Sequence, residues 1–393
     1  MGHSKIASDP AVRSGSTIRN AWLPALVFAL PLLTGLPRRL LGGSRLLDYR
    51  AVLCGAERAL HGQNLYDAGA ACPGAARFVY SPWVAQAGAA ILRGLGTTGF
   101  GALYLSLFAL SLAYLIWLAL FARAAPGPTS ARAPFLGFSG FSLVANGNIA
   151  VMLHAGVALT AQAFARRPKL FLAAVIAAAW VKPVFLTYLA VVALAQRPIA
   201  WRIRAICVCV VAGLLPTAIF VLAAPHQAQL WRGLVDHFVS QVTPGQGLFG
   251  WMTSLGVPTG GLAGAVCAVA WLGLITAAGA AIATAADLDQ RDRIWLGLAC
   301  GVLANPRLMG EDLLLVGPGA YVALSAAEAW SPLFQARARP FAIGMCLLAM
   351  LSHLVGFNPT GARLATFGIA MLLLAVAGLA VGRLAEAPEK AFA

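Results

Sequence analysis

Charge is what this sequence is short of. Only 10% of its 393 residues are Asp, Glu, Lys or Arg, while 60% are hydrophobic, and the mean hydropathy is +0.80. A soluble domain carries about 25% charged residues, so this chain has too little charge to clothe a water-facing surface. Metal-type cysteine clusters are missing too: the seven cysteines are scattered. No Gly-x-x-x-x-Gly-Lys loop, His-Glu-x-x-His pair or Gly-x-Ser-x-Gly elbow occurs, so the motif-based signatures of nucleotide, zinc-protease and hydrolase chemistry are absent. There is no period-two alternation of apolar residues, which argues against a membrane β-barrel. No repeat of 20–50 residues is detectable.

What is there instead is a series of continuous apolar runs. Each helix crossing ~30 Å of hydrocarbon needs roughly 20 apolar residues, and this length holds about ten or more. The expected fold is an all-α polytopic membrane protein, a single integral domain over 1–393. A first, uncleaved helix is expected at roughly 20–37, followed by a long first outer loop, 38–79. Clear spans are expected near 100–122, 149–165, 205–224, 262–286, 311–328, 340–356 and 363–382. Shorter runs lie at 80–96, 135–145, 170–181, 183–195 and 294–304. A second outer loop, 225–250, carries Trp231, Phe238 and Trp251, which suit an interfacial helix.

The net charge of +15 could suggest nucleic acid. Its distribution points elsewhere, because the basic residues sit in short clusters between apolar runs. With 80–96 lying at the interface, the segments at Arg123/Arg132, Arg166/Arg167/Lys169, Arg197/Arg202/Arg204, Arg291/Arg293 and Arg337/Arg339 all become cytoplasmic loops. That arrangement implies about twelve helices, a bacterial inner-membrane location and the 38–79 loop facing the periplasm. Three irregular junctions, Asn146-Gly147-Asn148, Trp180-Val181-Lys182-Pro183 and Asn305-Pro306-Arg307, then share the outer side. Irregular polar backbone at membrane depth is tolerated only inside protein or along a watery cavity, so one outward-opening cavity is expected beneath the first loop. Cys54 and Cys72 share that loop, and whether they pair is left open.

Several residues could carry chemistry there. Asp48 follows the first helix and could act as general base at the cavity mouth, or be a solvated loop acid or helix cap. Lys182 interrupts an apolar run, at a cost of at least ~2.5 kcal/mol at a helix centre, and could hold a lipid-linked phosphate or simply snorkel to the interface. Arg307, Glu311 and Asp312 form either an ion-paired knot or part of the cavity wall. His154 reads as a satisfied core histidine. Asp287-Leu288-Asp289 resembles a metal-holding Asp-x-Asp pair but lies in a charged loop without a nucleotide-binding fold around it. No metal and no cofactor is expected.

The ordered set Asp48, Gly62-x-x-x-Tyr66, Tyr80-Ser81-Pro82, Gly147-Asn148-Ile149, Lys182-Pro183 and Asn305-Pro306 resembles that of glycosyltransferase family 87 (the DUF2029 family), over about residues 45 to 320. The resemblance implies a GT-C-like bundle and transfer of a sugar, usually mannose, from a polyprenyl-phosphate donor to a hydroxyl acceptor on a glycolipid or polysaccharide, with inversion. It implies Asp48 as the catalytic base. Lys182, Arg307, Asn148, Tyr66, Tyr80, Glu311 and Asp312 become candidates for holding donor phosphate and substrate. The chain departs from the family in reading Asn305-Pro306-Arg307-Leu308-Met309-Gly310-Glu311-Asp312 where Trp and His are common. The alternative of another class is a secondary transporter or lipid flippase, which also uses broken helices near the midplane. A further envelope enzyme, a ligase or polymerase, would be expected to show a much larger late outer loop.

Overall fold

A computed structural model describes residues 17–31, 33–34, 46–67, 72, 77–140, 142–355 and 359–386. Residues 35–37 of the expected first helix, and 38–45, 68–71 and 73–76 of the expected first loop, lie outside the described residues. The longer helices are α1 (Thr17–Phe28), α2 (Leu47–Leu60), α3 (Pro82–Leu120), α4 (Ile149–Gln162), α5 (Pro168–Val181), α6 (Ile199–Ala223), α7 (Pro225–His237), α8 (Gly261–Ala285), α9 (Gln290–Leu303), α10 (Val316–Trp330), α11 (Pro332–Leu354) and α12 (Pro359–Glu386). No strand occurs among the described residues.

Five helical stretches among the described residues are long and apolar enough to cross a membrane: α3, α6, α8, Gly310–Trp330 and α12. Their outward faces carry bare apolar side chains, including Leu222 at 82% and Leu262 at 80% exposure. Apolar surface on that scale belongs against lipid. Several expected spans come out shorter or differently bounded. Helix α4 stops at Gln162, and its 14 residues rise only ~21 Å, too little to cross alone. The run at 80–96 is helical and continues into the next span, with the break at Gly96 (φ 65°, ψ 176°), where only glycine is at ease. The first arm of α3 packs on α2 through Ala56 and Gly88, where an added Cβ would lie 2.8 Å from that of Ala56. The long first loop thus contains a real helix, α2, seated on α3.

The basic segments expected as loops are largely helix starts. Pro168 and Pro332 stand in the first turns of α5 and α11, and Pro198 is the N-cap of α6. Proline is pre-set for that position and its missing N–H costs nothing there. Lys169, Arg202, Arg204, Arg337 and Arg339 therefore fall inside helices. These segments nonetheless gather at one end of the bundle. Arg291 donates to the Arg123 and Ala124 carbonyls at 2.8 Å, Arg197 to Ala165 at 3.2 Å and Arg293 to Leu194 at 3.2 Å. Arg339 pairs with Glu328. The three irregular junctions lie at the other end.

Helix α9 is the axis around which the rest packs. Every residue from Ile294 to Leu303 is buried. Close approach depends on glycine: a Cβ on Gly297 would sit 2.6 Å from Val191 Cα, and one on Gly301 3.0 Å from Tyr188 Cα. Small residues let helix backbones touch where no hydrophobic drive between helices exists.

Two outcomes follow. Gly297→Ala should lower the thermal midpoint in detergent, by overpacking worth about 1–3 kcal/mol, whereas Gly273→Ala, with nothing within 4 Å, should not. Cys54 and Cys72 form a disulfide with Cα atoms 6.1 Å apart, and Cys207, Cys209, Cys267, Cys300 and Cys346 are free. Intact mass after maleimide labelling of denatured protein should therefore count five thiols without reductant and seven after reduction. Seven without reductant would refute the pairing.

Candidate functional site

Each irregular junction has a local cause. Asn148 caps α4, its Oδ1 accepting the Ala150 N–H at 3.0 Å. Helix α5 ends at Lys182 because Pro183 follows, and the residue before proline is driven to extended backbone (φ −139°, ψ 107°). Asn305 turns the chain after α9 by accepting the Arg307 N–H on its own Oδ1 at 3.0 Å. Residues Gly310–Leu315 then form a 3₁₀ turn leading into α10. Helix α2 is anchored beside them: the Leu46 and Asp48 N–H groups donate to the Ala145 and Asn146 carbonyls at 2.7 and 3.0 Å. Leu46 holds φ 56° to make that entry. Tyr104 completes the anchor by donating to the Gly147 carbonyl at 2.8 Å.

These pieces line one cavity of about 470 Å³, within the ~300–1,000 Å³ usual for small-molecule pockets. Asp48, Arg77, Lys182, Arg307, Glu311 and Asp312 supply its charge. An apolar wall of Val181, Phe185, Trp231, Val235, Phe238 and Phe249 stands alongside. Trp231 is held by donating to the Val79 carbonyl at 3.1 Å.

The two buried acids are used differently. Asp312 is fully engaged: Oδ1 meets His154 Nε2 at 2.6 Å, and Oδ2 accepts from Asn305 Nδ2 at 3.2 Å and the Met309 N–H at 2.9 Å. His154 Nδ1 meets the Tyr188 hydroxyl at 2.6 Å. Glu311 receives Asn148 Nδ2 on Oε1 at 2.7 Å, and Asn148 Oδ1 accepts from Lys182 Nζ at 3.1 Å. Lys182 also lies over the Tyr80 ring, 5.2 Å from its centroid. Arg307 is steered by donating from Nε to the Thr243 carbonyl at 2.8 Å.

Asp48 stands apart. Among the described residues no hydrogen bond reaches its carboxylate, which sits in the first turn of α2, where the helix dipole favours an anion. Burial raises its carboxyl above the ordinary value, and the charges of Lys182 and Arg307 pull the other way.

Seven of the eight expected site residues thus border one cavity: Asp48, Tyr80, Asn148, Lys182, Arg307, Glu311 and Asp312. Tyr66 does not line it. It stands behind the wall, donating to the Tyr80 carbonyl at 2.9 Å, and so buttresses Tyr80. Of the two readings left open for Arg307, Glu311 and Asp312, all three line the cavity, and Asp312 is paired with His154. Asp289 of the Asp-x-Asp pair caps α9 through the Asp292 N–H at 2.8 Å. Arg77 was missed by sequence reasoning, although it lies in the first loop three residues before Tyr80. So was the part of Asn305, whose amide the sequence marks only as a turn.

No family model, no curated protein and no solved structure matches the chain.

Removing His154 would leave Asp312 Oδ1 and the Tyr188 hydroxyl without their partner in the interior. His154→Leu should cost about 1–3 kcal/mol for each buried polar group left unsatisfied, read as a lower thermal midpoint in detergent. Asp48→Asn, which breaks no hydrogen bond, should leave the midpoint in place.

Proposed function

We propose that this protein is a glycosyltransferase that moves a sugar, of which mannose is the first candidate, from a polyprenyl-phosphate donor to a hydroxyl acceptor on the outer side of a bacterial inner membrane. The observation that carries this reading is a cavity in which the carboxylate of Asp48, without a hydrogen bond among the described residues, shares space with the cations Lys182 and Arg307 beside an apolar wall. An amphiphilic donor suits that division. The phosphate meets the cations, and the first prenyl units meet Trp231 and Phe238.

The chemistry then needs few groups. The acceptor oxygen attacks the anomeric carbon from the face opposite the phosphate, forming the new glycosidic bond. The bond from that carbon to the phosphate oxygen breaks, and its electron pair leaves on the lipid phosphate. Asp48 takes the acceptor proton as general base. Lys182 and Arg307 stabilise the charge growing on the departing phosphate, where preorganised cations have their largest effect. Attack from the opposite face inverts the configuration.

Two features support the orientation. Basic segments gather at the end away from the cavity, as expected for a cytoplasmic face. The Cys54–Cys72 disulfide lies on the cavity side, and disulfides persist in oxidising compartments such as the periplasm. In this reading the chain crosses about twelve times, short helices such as α4 and α5 completing crossings that none makes alone.

The test is transfer from radiolabelled polyprenyl-phosphate mannose to a membrane-lipid extract, with wild type beside Asp48→Asn. Product from wild type alone supports the transferase, and a loss of about 10²–10⁴-fold is expected for removing a general base. Because the Asp48 carboxyl is raised, activity should be present above that value and fall away as pH drops through it. The acid limb of kcat/KM should thus lie above the ordinary carboxylate range. Equal transfer by both proteins removes Asp48 as base. A wild type that neither transfers nor binds any polyprenyl-phosphate sugar sinks the enzyme reading in favour of a secondary transporter or lipid flippase.

A further inference from the structure

Arg307 borders the cavity and is only half-buried, yet the group that pins it is not part of its own turn. Its Nε is spent on the Thr243 carbonyl at 2.8 Å. The two terminal nitrogens of its guanidinium make no hydrogen bond among the described residues. An arginine stays charged in proteins and offers its donors as a rigid planar fork, so the anchor on Nε decides where the other two nitrogens stand.

Thr243 begins a strap, residues 243–249, laid against the turn after α9. The Gln246 N–H donates to the Leu308 carbonyl at 2.6 Å, and the Phe249 N–H to the Pro306 carbonyl at 2.9 Å. Backbone meets backbone here. A Cβ on Gly245 would lie 2.6 Å from the Leu308 carbonyl oxygen, and one on Gly247 2.9 Å from that of Asn305. The strap is gripped from its other side by the first turns of α12. Arg363 donates from Nε to the Gly245 carbonyl at 3.1 Å and from Nη1 to Ser254 Oγ at 2.9 Å. The Thr366 hydroxyl, one turn on, donates to the Gln246 carbonyl. The grip is mutual, because the Trp251 indole N–H donates to the Arg363 carbonyl at 3.0 Å. Arg363 does not line the cavity and makes no ion pair among the described residues. Its fork is used on the strap.

We propose that Arg363 is a positioning residue for the donor phosphate: from outside the cavity it fixes the strap on which Arg307 is pinned. This rests on the donor reading above and deepens it. Arg363 and Arg307 are two ends of one hydrogen-bonded relay, joined through the two-residue step from Gly245 to Thr243. A strap released at Gly245 lets the Thr243 carbonyl shift, and the Arg307 fork turns with it. A phosphate that had met paired N–H donors then meets a displaced charge, and paired donors are the stronger arrangement.

The experiment is equilibrium binding of undecaprenyl phosphate to the full chain in detergent, for wild type, Arg363→Met, Arg307→Ala and the double variant. Arg363→Met keeps the stem and removes the fork. It should weaken binding by about threefold to thirtyfold, the span for residues that act through a packed network. In the Arg307→Ala background the same change should cost no more than about twofold, because the relay no longer ends on a phosphate-binding group. Thr366→Val, which cuts the second bond of the grip at nearly equal volume, should give the same pattern and replaces Arg363→Met if that variant does not fold. Equal loss with and without Arg307 is what general damage to the fold would produce, and it overturns the proposal. Unchanged binding by Arg363→Met also overturns it, and leaves the donor reading intact if Arg307→Ala still weakens binding. A wild type that does not bind the lipid removes the donor reading and this proposal together.

Discussion

A helix that stops within an apolar slab leaves backbone donors and acceptors that no water reaches, and each must be satisfied by the protein itself. The cavity end of this bundle is organised by that constraint. Asn148 closes the start of α4, Asn305 closes the turn after α9, and Tyr104 closes the Gly147 carbonyl. Asp312 accepts the Met309 N–H while holding His154. The polar residues that look like chemistry in the sequence are therefore first of all the means by which broken helices survive. Their concentration in one place is what makes a polar cavity there at all.

Within that frame the charges divide between structure and availability. Asp312 has no capacity left: three donors surround its two oxygens. Glu311 is half engaged. Asp48 carries no hydrogen bond among the described residues and stands in the field of two cations. Sites commonly keep the reacting group under-coordinated while its neighbours are held rigid, since preorganisation of the surroundings is what lowers the barrier. In the reaction proposed above, the gradient from Asp312 to Asp48 has that form, and the apolar wall of α7 and its neighbours is the part offered to the lipid.

Rigidity comes from the far side of the cavity. Helix α9 is buried from Ile294 to Leu303 and meets the 183–194 segment and α10 through glycines that leave no room for a side chain. Tyr188, Asn305 and the Gly310–Leu315 turn hang from those contacts. Backbone packed at that distance cannot drift by an ångström without collision, so the His154–Asp312–Asn305 knot is held from behind as well as by its own bonds.

Much of this was legible in the sequence. The shortage of charge required lipid, and the clusters at Arg166/Arg167 and Arg291/Arg293 marked one end of the bundle. Pro183 and Pro306 marked where helices break, and those breaks fell at the cavity. Composition and local backbone rules act on neighbours in the chain, so they are readable without a fold. What only the tertiary structure decided is who partners whom. That Asp312 is spent on His154 across 158 positions, that Tyr66 stands behind Tyr80 and not in the cavity, and that Asp48 has no hydrogen bond among the described residues are all long-range facts. Hydrogen bonding saturates at a few ångströms, and no local pattern records which distant donor will arrive. The sequence by itself determined the solvent and the breaks; the tertiary packing determined which acids are paired and which carries no hydrogen bond among the described residues.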